Sequence, residues 1–376
     1  MELYVQNAVH YHYDKFPPAK LDYESFIPDL LDATDALARY DQVLKGMHNN
    51  NIFLAPLRTQ EAVISSRMEG TISTMDEILQ YEADRVEDRG ENDNIHNVRS
   101  EVIETYLYSR ALSSAQHAIE EGQPFSQFLI KGIHQKLLSF GRGAHKSPGQ
   151  FKNEQNYLAD KIKKEILFIP ISPEKLQDGM DNLFKYIEEG DHRPILKTAI
   201  SHVEFEALHP FKDGNGRIGR MLTTLLLWKY GIISAPHFYI SGYFEENKDL
   251  YIDTMRRVSS NSDWNAWCAF FLEAVKQQAL KNLIVAENIQ KLYEDMKNVF
   301  SEVLSSRWTI SALDYIFTNP VFRNSKFTST SGIPAQTASR FTKLLSEKNL
   351  LVTIQEASGR RAALYSFEPL MQLVRV

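Results

Sequence analysis

Residues 209–220 read His209-Pro210-Phe211-Lys212-Asp213-Gly214-Asn215-Gly216-Arg217-Ile218-Gly219-Arg220, gathering an imidazole, a carboxylate and two guanidiniums around a glycine turn. An imidazole with its ordinary pKa near neutrality suits a general base acting on a hydroxyl. Asp213 supplies a hard carboxylate, enough for one or two positions on a Mg2+ that is already bound to phosphate. The Gly214-Asn215-Gly216 turn feeds a helix that begins near Arg217. Glycines there permit positive φ and close backbone approach, and successive N–H groups at a helix start form an anion site. Arg217 and Arg220 are three apart, so they share a helix face and can grip neighbouring phosphate oxygens. Any one of these residues alone reads as an exposed side chain on a helix hairpin; the set together points to phosphate chemistry. A Walker-type ATPase site is excluded, since no G-x-x-x-x-G-K-[S/T] string occurs.

The elements that must hold this string are mostly helical. A helix over about 193–208, patterned by Ile195, Ala199, Val203 and Leu208, ends at His209 because the residue before a proline avoids the α region. The helix after the turn runs over about 217–230, and others are predicted over 95–121, 126–139, 174–189, 247–258, 262–280 and 282–305. Upstream, Leu30, Leu31, Leu37 and Tyr40 pattern a first helix that breaks at Asn49-Asn50-Asn51. A second starts near Pro56 and stops at Gly70, and Thr74 with Glu77 has capping-box spacing for a third, Met75 to Tyr81 or beyond. Asp84–Asn94 reads as a loop or helix end. Gly141–Glu174 reads as a loop with a β-hairpin, Asn156–Leu158 and Ile166–Ile171, the only such element before the C-terminal segment. At the end of the chain Trp308–Phe317 reads as a helix, Ser331–Arg340 and Phe341–Leu350 as a helix-turn-helix, and Leu351–Ile354 with Ala362–Phe367 as short strands, the outline of a winged helix.

The motif string resembles the Fic family signature, HPFx[D/E]GNGRxxR, and departs from it at no specified position. The resemblance implies a mostly α fold: a Fic-type helical core with a β-hairpin flap, an N-terminal helical region and a C-terminal winged helix-turn-helix. It divides the chain into 1–94, the core 95–280, a connecting helix 281–304 and the winged helix 305–376. It implies a protein adenylyltransferase, moving AMP from ATP to a Tyr, Thr or Ser hydroxyl of a target protein. His209 would deprotonate that hydroxyl, Asp213 would bind Mg2+, Asn215 with the Gly214–Gly216 backbone would hold the α-phosphate, and Arg217 and Arg220 the β- and γ-phosphates. A kinase-like branch, Doc, carries lysine in the glycine region; Gly216 stands here and favours AMP.

Three further segments resemble family features. Ser147-Pro148-Gly149-Gln150-Phe151-Lys152 leading to Asn156-Tyr157-Leu158-Ala159 resembles the flap over the nucleotide, whose open edge registers a target by strand addition; Lys152 stands where relatives often carry arginine. The lysines Lys161, Lys163 and Lys164 solvate its tip. Leu250 and Tyr251 sit where relatives contact adenine, against the simpler reading of Tyr251 as helix packing. Ser65-Ser66-Arg67-Met68-Glu69-Gly70 resembles the inhibition motif [S/T]xxxE[G/N], in which Ser65 and Glu69 stack on one helix face and Glu69 occupies Arg220, making the enzyme autoinhibited. The competing functions are removal of AMP at the same site, and a DNA-binding regulator whose core senses nucleotide; the intact His209 argues against a sensor, which needs no base.

The remaining features bound the setting. The chain has 376 residues, 43% hydrophobic and 24% charged, as a soluble protein of two or three domains would have. No apolar stretch spans a bilayer, the N-terminus lacks a signal-peptide pattern, and the single Cys268 allows no intrachain disulfide, so a cytoplasmic site without a membrane partner is expected. The net charge of −6 conceals an asymmetry: residues 305–376 hold nine Lys/Arg and four Asp/Glu. That marks the C-terminal segment as a separate unit with its own partner, either DNA, with Arg340, Lys343, Arg360 and Arg361 on phosphates, or a docked protein. A homo-oligomer stays open. His10 and His12, without further ligands at metal spacing, read as exposed tail residues. His202, Glu204 and Glu206 read as largely solvated, with Glu206 close to the site.

Overall fold

The computed structural model describes residues 8–47, 50–85, 98–160, 164–359 and 361–376. They form two compact units, Met1–Arg39 with Leu107–Leu280 and Tyr40–Tyr106 with Lys281–Val376, whose boundaries fall inside three helices: α1 (Ile27–Lys45), α4 (Ser100–Glu120) and α11 (Trp264–Leu304).

The first unit is built around α7 (Pro194–Leu208), buried along nearly its whole length by Ile195, Leu196, Ala199, Ile200, Val203 and Phe205. It packs between α6 (Pro173–Glu189) and α8 (Asn215–Lys229). Helix α6 offers one apolar face, Leu176, Met180, Leu183 and Ile187, at the four-three-four spacing that aligns side chains along a helix. Around this core stand α5 (Gln127–Leu137), α9 (Ser241–Glu246), α10 (Lys248–Asn261) and the first part of α11, whose Trp267 indole N–H donates to the Ala199 carbonyl at 2.8 Å.

Three strands complete the unit: β1 (Val9–His10), β2 (Leu158–Asp160) and β3 (Glu165–Ile169), in the order β1-β3-β2. The hairpin β2–β3 is antiparallel with an irregularity between Leu158 and Ala159. The hairpin is not the only β element before the C-terminal segment, because β1 adds to β3 in parallel. The same N-terminal strap overturns the exposed-tail expectation for His12, which is 3% exposed. Its imidazole lies 2.8 Å from Glu204 Oε2 and 2.8 Å from Ser259 Oγ, while the Tyr11 hydroxyl donates to Glu204 Oε1 at 2.6 Å. Glu204 and His202 are therefore fully buried rather than solvated. A carboxylate can enter a core only with such partners, and sequence spacing gave no sign of partners nearly two hundred residues away.

The second unit holds α2 (Asn50–Met68), α3 (Met75–Arg85), α12 (Thr309–Thr318), β4 (Val321–Arg323), α13 (Asn324–Thr330), α14 (Ala335–Glu347), β5 (Val352–Gln355), β6 (Leu364–Ser366) and α15 (Glu368–Val374). Its antiparallel sheet runs β4-β6-β5. The C-terminal segment is thus not a separate unit: α2 packs on α12 and α15, and α3 on β4. Part of its positive charge is answered within the unit. Arg323, fully buried, donates from Nε to Asp84 at 2.7 Å, from Nη1 to Ala362 O at 2.7 Å and from Nη2 to Gln355 at 2.7 Å. Arg361 takes the other Asp84 oxygen, and Arg375 binds Asp76 at 2.9 and 3.0 Å.

Several boundaries move. Helix α2 begins at Asn50, so Pro56 lies inside it rather than at its start. The predicted helices 262–280 and 282–305 are one helix, α11, since nothing at Lys281-Asn282 breaks it. The helix-turn-helix is α13 and α14 instead of Ser331–Arg340 and Phe341–Leu350, because the turn falls at Ser331-Gly332-Ile333-Pro334. The capping box holds as read: Glu77 accepts from the Thr74 N–H at 2.8 Å and Thr74 Oγ1 accepts from the Glu77 N–H at 3.3 Å. Lys161, Lys163, Arg360 and most of the predicted loop Asp84–Asn94 lie outside the described residues.

Candidate active site

Helix α7 ends in a left-handed residue. His209 has φ 45° and ψ 60°, and its N–H donates to Phe205 O. A non-glycine residue in this region costs about 1–2 kcal/mol and must be held by its surroundings. Its Nδ1 lies 3.3 Å from the Glu206 carbonyl, which can only accept, so in the neutral ring Nδ1 carries the proton and the lone pair falls on Nε2.

The phosphate-type loop follows. Gly214 sits at φ 78°, a conformation a side chain would strain, and caps α8, whose first turn presents the N–H groups of Asn215, Gly216 and Arg217. Asp213 accepts from the Gly214 N–H at 2.6 Å and lies 3.5 Å from Arg217 Nη2, with its side chain 41% exposed. Arg217 and Arg220 are 4% and 2% exposed. The Arg217 Nε and Nη1 atoms find no hydrogen-bond partner among the described residues. A buried guanidinium with unused donors is costly in the absence of an anion. Asn215 does not direct its side chain to a ligand: Oδ1 accepts from Phe211 N at 2.8 Å and Nδ2 donates to Phe211 O at 2.8 Å. Only its backbone N–H stays with the anion loop.

His134 escaped the sequence reading and braces this loop. Its Nδ1 accepts from the Gly149 N–H at 2.8 Å, so Nε2–H donates to Asp213 O at 3.0 Å, and its ring stacks on Phe211 at 3.7 Å. His202 supports α8 in the same way, bonding Gly219 O at 3.0 Å while accepting from the Tyr251 hydroxyl at 2.8 Å. Tyr251 is 4% exposed and stacks on Phe244 at 4.3 Å, so it packs the core instead of facing adenine. Leu250 is half exposed. Beside the hairpin lies a pocket of about 210 Å³ lined by Leu158, Ala159, Phe168, Ala207, Ile252 and Met255, with Glu206 in its wall. Glu206 approaches α8 so closely that a Cβ on Gly219 would lie 2.2 Å from its Oε1.

Asn156 was expected on the nucleotide, yet its amide donates to His209 O at 3.0 Å and Phe211 O at 3.1 Å and accepts from Lys152 Nζ at 2.7 Å. Tyr157 is 52% exposed. Burial pushes the Lys152 ammonium down to about 7.

Burial also pushes His134 down to about 4 and His202 to about 3, from an ordinary 6.5. The unfolded chain then binds more protons than the folded one between those values and 6.5. Stability therefore falls as pH drops from 6.5 towards 4, by about 1.4 kcal/mol per pH unit for each imidazole. Urea denaturation at pH 7 and pH 4.5 measures this loss. His134→Gln, which keeps a donor and an acceptor, is expected to reduce it by about 2–3 kcal/mol. An equal loss in variant and wild type would contradict a buried neutral His134.

In the second unit, Ser65 is buried in α2 and Glu69 is exposed at its end. Gly70 N–H donates to Arg67 O at 2.9 Å and Thr71 N–H to Ser66 O at 3.0 Å, the paired bonds of a Schellman cap. Of the basic residues expected on phosphates, Arg340 and Lys343 are exposed on α14, whereas Arg361 is held by Asp84. Among the described residues no group of three or more His, Cys, Asp or Glu is arranged to hold a metal, and no helix is long and apolar enough to cross a membrane.

Residues 124–227 match a family model described as Fic/DOC family, and residues 27–117 one described as Fic/DOC family N-terminal. A protein adenylyltransferase, fic-1, of Caenorhabditis elegans is 28% identical over 27% of this chain and 19% of its own length. The first relatives found are matched over only about a fifth to a quarter of their length. A Fido domain-containing protein of Dictyostelium discoideum is 30% identical over 31% of this chain and 74% of its own. Among solved structures, a Fic family protein from Desulfovibrio desulfuricans superposes with a TM-score of 0.55 at 16% identity, covering 93% of this chain and 98% of that one.

Proposed function

The chain belongs to the Fic/DOC family, and on that premise we propose that it transfers AMP from ATP to a Tyr, Thr or Ser hydroxyl of a target protein. The observation that carries this reading is Arg217: a guanidinium 4% exposed, with two donors unmatched among the described residues, beside the first turn of a helix. Polyphosphate oxygens supply the missing acceptors.

His209 Nε2 takes the proton of the target hydroxyl. The hydroxyl oxygen bonds to the α-phosphorus, the bond from that phosphorus to the bridging oxygen breaks, and pyrophosphate leaves. Arg217 and Arg220 carry the charge that grows on the leaving group, and the N–H groups opening α8 hold the α-phosphate oxygens. The apolar pocket between the hairpin and α10 has the character of a nucleobase site, reached by Leu158, Ala159, Ile252 and Met255. Because β1 covers the far side of β3, the target strand adds to the outer edge of β2.

Asp213 fits a metal of the hard-oxygen type, with one part-exposed carboxylate beside the phosphate loop. Mg2+ held there and by phosphate oxygens would neutralise charge on the departing pyrophosphate. Asp213→Ala is expected to raise the Mg2+ concentration needed for half-maximal transfer, measured by titration at fixed ATP; an unchanged Mg2+ dependence would remove Asp213 from this role. Restraint by Glu69 belongs to the same reading.

Incubation of the protein and a cell lysate with ATP labelled at the α- or the γ-phosphate tests the activity. Label from the α-position alone should become protein-bound, with mass spectrometry finding an added AMP on a hydroxyl. Transfer of γ-label would overturn the reaction class.

A further inference from the structure

Four successive carbonyls at the end of α7 are captured from one place. Lys152 Nζ donates to Leu208 O at 3.1 Å and the Lys152 N–H to Pro210 O at 2.8 Å. Asn156 Nδ2 donates to His209 O at 3.0 Å and to Phe211 O at 3.1 Å. The two side chains lock each other, because Lys152 Nζ also donates to Asn156 Oδ1 at 2.7 Å. Both residues precede β2, and Lys152 is 4% exposed.

We propose that Lys152 and Asn156 are positioning residues for the transfer, forming a staple that holds the left-handed turn at His209 and so aims its imidazole. The last carbonyls of a helix have no partner within it, and an ending at a non-glycine left-handed residue is strained. The staple answers both needs with hydrogen bonds from an amine and an amide. Asn156 carries the groups such a staple requires, since its two amide hydrogens serve two carbonyls and its oxygen takes the lysine.

There is a second consequence. Asn156 lies two residues before Leu158, where β2 begins. The edge that registers the target and the loop that carries the base are joined by the same side chains. A target hydroxyl docked on β2 therefore meets an imidazole whose position is fixed relative to that edge. Misplacement by about 1 Å can cost a hundredfold in rate. Nothing in the staple touches the groups proposed for the phosphates, so its loss should act on the transfer step and spare ATP binding.

The inference rests on the general-base reading of His209, and the experiment separates the two. The rate of α-label incorporation into the full chain, or into its labelled target band, is followed against ATP concentration for wild type, Lys152→Met, Asn156→Ala, Lys152→Arg and His209→Ala. Thermal melting is measured alongside. Lys152→Met and Asn156→Ala should lower the maximal rate by about tenfold to a hundredfold with the half-saturating ATP concentration unchanged. Lys152→Arg should recover most of the rate, since a guanidinium can reach the same two oxygens. Wild-type maximal rates in both loss variants, with His209→Ala inactive, would overturn the staple. A rise in half-saturating ATP with an unchanged maximal rate would overturn it too, by making these residues nucleotide contacts. Activity retained in His209→Ala would instead refute the base. If Lys152→Met does not fold, Asn156→Ala, at a half-buried position, decides the matter.

Discussion

Replacing His209 by alanine is expected to lower AMP transfer by about 10²- to 10⁴-fold, the usual contribution of a positioned general base, while ATP still raises the melting temperature of the variant. The two halves of this expectation come from different parts of the same loop. In the proposed mechanism the imidazole, with its Nδ1 facing Glu206 O, would present Nε2 to the incoming hydroxyl. The groups proposed to hold the phosphates lie in residues 214–220, which alanine at 209 does not alter. Alanine in the left-handed region adds strain, and His209→Asn separates that strain from loss of the base, because asparagine tolerates the conformation. Both variants should be equally inactive. Thermal melting with and without ATP and Mg2+, beside transfer of α-label, gives the complete comparison. Transfer near the wild-type rate in either variant would end the general-base assignment.

Legibility in the sequence followed the range of the interactions. The motif from His209 to Arg220 was visible because its chemistry is local: residue types within a dozen positions define a turn, a helix start and two cations on one face. The capping box at Thr74 and Glu77, a contact over three residues, was equally plain. What stayed hidden depends on partners far along the chain. Glu204 reads as a surface carboxylate until Tyr11 and His12 arrive from the N-terminal strap. For Tyr251 the sequence leaves helix packing open beside a nucleobase contact, and only the distant His202 and Phe244, on its hydroxyl and its face, decide for packing. His134 carries no motif at all; only the tertiary structure places its two nitrogens between Gly149 and Asp213. Charge was legible only in part. The basic excess of residues 305–376 reads as a surface for an external partner; Arg340 and Lys343 are exposed, while Arg323, Arg361 and Arg375 bind Asp84 and Asp76 of α3. The side chains of Asn156 and Asn215, given to the nucleotide by resemblance, are bonded instead to the backbone of the motif turn.

Glu69→Gly should raise self-labelling and target labelling above wild type. Glu69 is the last residue before the Schellman cap of α2, where the negative end of the helix dipole disfavours a carboxylate and a cation is the natural relief. In the reading proposed above that cation would be Arg220, the guanidinium proposed for the γ-phosphate, so that a carboxylate and a substrate phosphate would compete for one group. A typical coupling between two such sites, about 1–3 kcal/mol, corresponds to a gain of about 5- to 150-fold. Gain from removing a charged residue is diagnostic, because substitutions mostly destabilise and rarely activate. Glu69→Gln separates charge from size: it should give much of the gain if the ion pair matters, and little if the side chain acts by bulk. Adding Arg220→Ala to Glu69→Gly should abolish the gain, the non-additivity expected of residues that act as a pair. Initial rates of α-label incorporation for the wild type, Glu69→Gly, Arg220→Ala and the double variant close the cycle. Unchanged or reduced activity in Glu69→Gly would make α2 ordinary scaffold. A gain that survives Arg220→Ala would keep the restraint and reject the arginine as its target.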